Sequence, residues 1–394
     1  MMNNNYLEGN DILKQEFIKG VDISILDEVE KFGGEFFVDN QKKDLFKILK
    51  SKGINTIRLR LWVNPFDSQG NPYLGGTNDL KTTVRLARRA KAEGMRFMLN
   101  LHYSDFWTDP KKQQKPKEWE DLSGMALVNE VYNYTKGILQ VFKRESLVPE
   151  YIQIGNEITN GMLWPDGQTP KFLFEEKEFE VWEEKERNTA YDRLADLLKA
   201  GVLAVRENYT TDEMKIILHL DFGGANKLYR IWFDEISKRG VDFDIIGLSY
   251  YPYWHGSLED LKFNLKDIGD RFEKDLLIVE TAYAFTDEAP QGEDSIFNKE
   301  LSDIAGYPPT IKGQQTFLID LLNLVKELHA DAYKGLGIVY WEPAWLPVKQ
   351  TSWASVEGMK YGNDLGNIGN HWANQGLFDF EGNALESLDI FKSF

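Results

Sequence analysis

Eight short apolar runs, spread from residue 17 to residue 341, constrain the fold of this chain more than any other feature. They read FIKGVDI (17–23), INTIRLRLW (54–62), MRFMLNLHY (95–103), EYIQIGNE (150–157), MKIILHL (214–220), FDIIGLSYY (243–251), DLLIVE (275–280) and GLGIVYW (335–341). Each is rich in β-branched and aromatic residues, and each is short enough to be a strand rather than a helix. Between them lie amphipathic stretches such as 42–53, 79–94 and 191–208. In the first of these, Leu45, Phe46 and Leu49 recur at helical spacing and Gly53 closes the segment. Strand and helix alternating eight times predicts a (β/α)8 TIM barrel. An open doubly wound sheet is the competing arrangement, but its first strand would feed a Gly-rich phosphate loop. Here the first run continues into DISILDEVEKFGG, which has no such pattern.

Such barrels reach this length as one unit, so residues 1–394 are read as a single domain with residues 1–15 as a flexible N-terminal extension. Three long loops are expected, after strands four (160–190), seven (281–313) and eight (343–375). In a barrel all three open on the C-terminal face, where such folds place their sites. The strand ends carry Arg58, His102, Asn156, Glu157, His219, Tyr251, Glu280 and Trp341, so polar and aromatic groups crowd one rim.

Charge narrows what that rim can hold. A net charge of −17 disfavours nucleic acid and anionic membranes as partners. The absence of cysteine removes thiolate metal sites and thiol nucleophiles. Eleven Trp and 17 Tyr supply amphipathic rings suited to flat apolar faces, sugars among them.

Two glutamates, Glu157 and Glu280, each end an apolar strand. Glycosidic hydrolysis needs such a pair: one carboxyl protonates the leaving oxygen, and the other attacks the anomeric carbon or activates water. Strands four and seven face each other across a barrel, so the pair can flank one bond. A carboxyl set against apolar walls and near a second carboxyl has a raised pKa, as a general acid requires. Arg58 would keep the other carboxyl ionised, and Asn156 can donate to a sugar hydroxyl. Taken singly, a strand-end glutamate serves equally as a rim residue or an ion-pair partner.

The chain also resembles a known family. FIKGVDIS, IRLRLW, HYSDFWTDP, QIGNE, SYYPYWHG, VETAY and YWEPAW occur in order, followed by NQGLFDFEGNALESL at 374–388. Together they resemble glycoside hydrolase family 53, the arabinogalactan endo-β-1,4-galactanases of the retaining clan A. The resemblance implies that Glu157 is the acid/base and Glu280 the nucleophile of a double displacement. It places Asn156, Arg58, His102, Tyr251 and Trp341 around the sugar whose bond breaks, with Trp341 as stacking floor. Asp105, Trp107, Trp254 and Trp345 join the substrate-binding set at the rim. Trp341 serves equally as a barrel-top core ring, and His102 as an interior histidine that orients its neighbours. Asp22 and Ser24 either hydrogen-bond a carboxylate or cap the turn that follows.

The implied substrate is β-1,4-galactan, type I arabinogalactan or their oligosaccharides, handled by a monomer that requires no cofactor. Bacterial relatives often carry calcium in the loops after strands seven and eight, and Asp287, Glu293, Asp294 and Asp303 are the candidates for it here. Trp164 and Trp182 are expected to extend or close the glycone side of the cleft. The N-terminus lacks a secretory pattern, which reads as cytoplasmic, or as secreted if a leader has been removed. A β-mannanase or β-glucanase would share the catalytic pair and differ in cleft lining. A non-catalytic carbohydrate-binding barrel would keep the aromatics and lose a glutamate.

Overall fold

The computed structural model describes residues 16–329 and 331–394; the expected N-terminal extension, residues 1–15, lies outside them. Every one of the eight runs forms a strand. They are β1 (Ile18–Asp22), β2 (Thr56–Leu61), β3 (Arg96–Leu101), β4 (Tyr151–Ile154), β5 (Lys215–Leu220), β6 (Ile245–Ser249), β7 (Asp275–Thr281) and β8 (Gly335–Trp341). Sequential neighbours pair in parallel, and β8 pairs back onto β1 with Tyr340 opposite Val21, so the sheet closes into an eight-stranded barrel.

One main helix leads from each strand to the next: α1 (Leu45–Ser51), α2 (Leu80–Ala92), α3 (Gly124–Arg144), α4 (Glu184–Arg206), α5 (Asn226–Lys238), α6 (Leu258–Phe272) and α7 (Ile311–Leu328); short helices at Leu26–Lys31 and Lys299–Ala305 join them among the described residues. Their starts are written locally. The Asp79 side chain accepts from the Thr82 N–H at 2.9 Å to open α2, and Ser257 with Asp260 forms a reciprocal capping box on α6. A 3-10 run, Glu386–Ser393, packs against α7 where an eighth helix would lie. The excursion after β4 is shorter than the expected 160–190, because α4 begins at Glu184. It folds into two small ribbons, Gly161–Met162 with Gly167–Gln168 and Phe172–Leu173 with Glu178–Phe179.

Strand alternation sorts side chains into two cores. Ile57, Leu59 and Leu61 of β2, like Ile216, Leu218 and Leu220 of β5, face the helices in one large shell. Ile18, Met98, Tyr151, Ile217, Ile245, Leu277, Val279, Leu336 and Val339 fill the barrel. Burying one such aliphatic side chain contributes ~1.5–3 kcal/mol, so this plug anchors the floor beneath any site above it. Going up β2, β3 and β5, the inward positions change from apolar or small to polar: Arg58 and Arg60, Asn100, and His219, all almost fully buried. The barrel is thus greasy at its floor and polar at its C-terminal mouth.

β7 breaks the alternation where it matters. Ile278 pairs with Leu248, but the next pairing with β6 is Glu280 with Ser249, so two steps on β7 match one on β6. Val279 points into the barrel plug, and the irregularity lets its direct neighbour Glu280 also reach inward. A β-bulge re-aims a side chain in this way, at the expense of a local break in the ladder.

Candidate active site

A cavity of ≈ 690 Å³ opens at the C-terminal mouth of the barrel. Glu157, Glu280, Asn156, Arg58, His102, Trp107, Tyr251, Trp254, Trp341 and Trp345 all line it, so ten of the eleven residues expected to act on substrate meet in one cleft. The exception is Asp105. Its Oδ1 accepts from the Asn64 N–H at 2.9 Å and its Oδ2 from the Lys117 N–H and Nζ, each at 2.9 Å. It is fully buried, and it clamps the loop after β2 to the loop after β3.

Glu157 leaves β4 through two left-handed residues. Gly155 has φ 85°, and a Cβ there would meet Ile158 Cγ2 at 2.6 Å, so the position demands glycine. Glu157 itself has φ 48° and ψ 52°. A non-glycine residue in this region costs roughly 1 kcal/mol or more, which is typical of backbone held for function. Tyr103, Phe222 and Glu342, just past β3, β5 and β8, share the conformation.

The two carboxyl groups meet at Ser249. Its hydroxyl lies 2.7 Å from Glu157 Oε1, 3.4 Å from Glu280 Oε2 and 2.8 Å from His219 Nε2. The Glu157 N–H donates to His219 Nδ1 at 3.4 Å, so the ring proton sits on Nε2 and is donated to Ser249. Burial and the Arg58 charge push His219 far below the usual histidine range, which keeps it neutral. Ser249 then has its one proton for the carboxylates, with Glu157 the nearer acceptor. Oxygens of Glu157 and Glu280, together with His219 nitrogen, lie within 4.8 Å of one another.

Burial drives both carboxyls upward, and the cause that separates them is charge. Glu157 is pushed well above the usual carboxylate range by burial, then by the neighbouring charges of Glu280 and Asp221. Glu280 is also raised by burial, but the Arg58 guanidinium 3.7 Å away opposes the rise. Glu280 therefore ionises first and Glu157 keeps its proton, a division of roles set by environment.

Arg58 is held on three sides, by Gln153 Oε1 at 2.6 Å, Asp22 Oδ2 at 2.8 Å and Asn156 Oδ1 at 3.1 Å. Asn156 Oδ1 also accepts from Asn100 at 2.8 Å, and its Nδ2 donates one hydrogen to the Thr108 carbonyl at 2.9 Å. The second amide hydrogen is left for a ligand hydroxyl. His102 accepts from Asn100 at 3.2 Å and faces the Thr108 hydroxyl at 2.9 Å; it lines the cleft and orients its neighbours. Asp22 binds both arginines, and Ser24 donates to Asp22 at 2.5 Å, so neither reaches a catalytic carboxyl. Trp341 lines the cleft, with Trp372 edge-on at 4.6 Å and the Arg60 guanidinium 5.6 Å from its ring centre.

Several residues in or directly behind the cleft escaped the sequence reading. Gln153 and Asn100 are inward positions of β4 and β3, and period-two alternation could have flagged them as polar groups inside apolar strands. Ser249, Phe174 and Phe222 carried no comparable signal, whereas Asp221 was legible as the polar residue that follows His219 at the end of β5. Trp164 and Trp182, expected at the cleft, are not among its lining; Phe174 from the same excursion is.

Three of the acids after β7 have protein partners. Glu293 accepts from the Asn370 N–H and from Asn370 Nδ2, Asp294 accepts from Asn367 at 2.9 Å, and Asp303 pairs with Lys299 at 3.0 Å. Among the described residues, the set of three carboxyl or imidazole groups with metal-ligand spacing is Glu157, His219 and Glu280. Among them, too, no helix is long and apolar enough to cross a membrane.

Comparison with known proteins supplies the frame for this cleft. The sequence profile of Glycosyl hydrolase family 53 matches residues 18–391. An uncharacterized protein in the bgaB 5′ region of Niallia circulans is 41% identical, over 97% of this chain and 95% of that protein. An endo-beta-1,4-galactanase of Bacillus subtilis is 34% identical, over 96% of this chain and 86% of its own. The solved GH53 catalytic domain of Ignisphaera aggregans superposes with a TM-score of 0.84 at 38% identity, covering 96% of each chain.

Proposed function

The chain belongs to glycosyl hydrolase family 53, and from that premise we infer that it is a retaining endo-β-1,4-galactanase with Glu157 as acid/base and Glu280 as nucleophile. The observation that carries the stereochemistry is the gap between the carboxyls. One oxygen of each lies within 4.8 Å of the other. Retaining enzymes hold the pair ~5–5.5 Å apart, whereas inverting enzymes open it to ~6.5–9.5 Å to admit water.

In the first step a Glu280 oxygen attacks the anomeric carbon of the galactose resting on Trp341. The bond to the leaving oxygen breaks, and that oxygen takes the Glu157 proton. Because Glu157 Oε1 accepts from Ser249, the proton is carried on Oε2. A galactosyl ester on Glu280 results. In the second step the Glu157 carboxylate removes a proton from water, the water oxygen attacks the same carbon, and Glu280 departs as carboxylate. Two inversions give net retention. The free amide hydrogen of Asn156 is placed to bind the hydroxyl beside the reacting carbon. The scheme draws on side chains and water alone.

Hydrolysis of linear β-1,4-galactan, with β-mannan and β-glucan as controls, tests the reading. Release of galacto-oligosaccharides from galactan alone is the expected result. Activity confined to another glycan would keep the pair and remove the galactanase assignment.

The pH profile tests the assignment of roles. In kcat/KM the acidic limb reports Glu280, which must be ionised, and the basic limb Glu157, which must be protonated. The Ser249 hydroxyl lies within reach of both carboxyls, nearer to Glu157, and hydrogen bonding to it lowers both pKa values. Ser249→Ala is expected to move both limbs to higher pH, with Ser249→Thr restoring them. Unmoved limbs in the alanine variant would separate Ser249 from the catalytic pair.

A further inference from the structure

The cleft has two aromatic banks, and the catalytic chemistry uses only one. The loops after β3 and β8 supply Trp107, Trp341, Trp345 and Trp372. Opposite them, the loops after β4, β5 and β6 supply Phe174, Phe222 and Trp254. Phe174 and Phe222 stack with ring centres 3.8 Å apart and planes 14° from parallel. Phe222 lies in turn 4.5 Å from the His255 ring, and Trp254 is 43% exposed. The left-handed backbone of Phe222 (φ 52°) turns the chain at the very end of β5.

The position of this bank relative to the acid fixes what it can meet. A sugar on Trp341 lies beside β7 and β8, with its reacting carbon over Glu280. The leaving oxygen must reach Glu157 at the end of β4. The sugar that departs therefore lies beyond Glu157, on the side of the β4, β5 and β6 loops. Galactose suits a flat ring there, because its axial 4-hydroxyl leaves the C–H groups of carbons 3, 4 and 5 clustered on the opposite face. Asp221, buried beside Phe222, lines the same cavity.

We propose that Phe174, backed by Phe222 and His255, forms a stacking platform for the galactose units on the leaving-group side of the scissile bond. The excursion 160–183 after β4 thus sets which bond of an oligosaccharide is cut, and holds the acceptor when the galactosyl ester is passed to a sugar instead of water. This proposal rests on the galactanase reading and adds a binding site to it.

The test compares two substrates cut through the same ester. One is β-1,4-galactohexaose, which fills both sides of the bond; the other is β-galactobiosyl fluoride, whose leaving group is too small to stack. Phe174→Ala is expected to lower the ratio of kcat/KM on the hexaose to that on the fluoride by roughly tenfold, the scale of an aromatic stacking contact. The cleavage pattern of reducing-end-labelled hexaose should shift, and Phe174→Trp should recover both. An unchanged ratio, or an equal loss on both substrates, would overturn the platform, the second outcome marking Phe174 as support for the catalytic pair. A wild-type enzyme inert on both substrates would instead bring down the galactanase reading, and the platform with it.

Discussion

Glu280→Gln is expected to lower kcat on β-1,4-galactan by on the order of 10⁴–10⁶, the scale on which removing an enzyme's nucleophile acts. An amide cannot form the glycosyl ester, and no second carboxyl near Arg58 is free to replace it. Asp22 is already committed to Arg58 at 2.8 Å and to Arg60 at 3.5 Å. The variant should fold. Glutamine fills the same space, Asp22 still compensates the buried Arg58, and one buried charge is gone. The unfolding temperature is thus expected to be equal to or above that of the wild type. Calorimetry with a galactan reducing-sugar assay checks both halves. A few per cent of residual turnover in a contamination-free preparation would remove Glu280 as nucleophile.

Glu157→Gln should fail differently, because it loses a proton donor and a base rather than a bond-forming group. On galactan the loss expected from general acid–base catalysis is ~10²–10⁴-fold. A 2,4-dinitrophenyl β-galactobioside leaves without protonation, so the first step survives and the ester accumulates as a burst. Azide needs no deprotonation and should restore turnover, giving β-galactobiosyl azide. The β product tests retention and the rescue tests the base. An α-azide would reassign the enzyme as inverting; no rescue would take the acid/base role from Glu157.

Much of this molecule is legible from particular residues. Each of the eight apolar runs becomes a strand, because a segment that must be buried on both faces can hardly be anything else in a strand–helix alternation. The glutamates could be found because each interrupts an apolar strand at its C-terminal end. The excursion after β4 could be located but not resolved. Its Trp164 and Trp182 were the conspicuous rings, yet Phe174 is the one that reaches the cleft. Asp105 illustrates the same limit: a carboxylate just past a strand end turns inward to clamp two loops, which depends on where Asn64 and Lys117 arrive.

By itself, then, the sequence determined the barrel, the face that carries the cleft and the two carboxyls that meet there, because periodic burial and strand-end position are local properties. Only the tertiary structure decided how those carboxyls differ. Strict alternation would point Glu280 out toward the helices, since Val279 points in; the irregular pairing of β7 with β6 turns it to Arg58 and Ser249. Which carboxyl keeps its proton depends on Arg58, Asp221 and Ser249, delivered from β2, from just past β5 and from β6. Electrostatic energies depend on distance through space, and residues far apart in the chain set those distances only when the barrel closes.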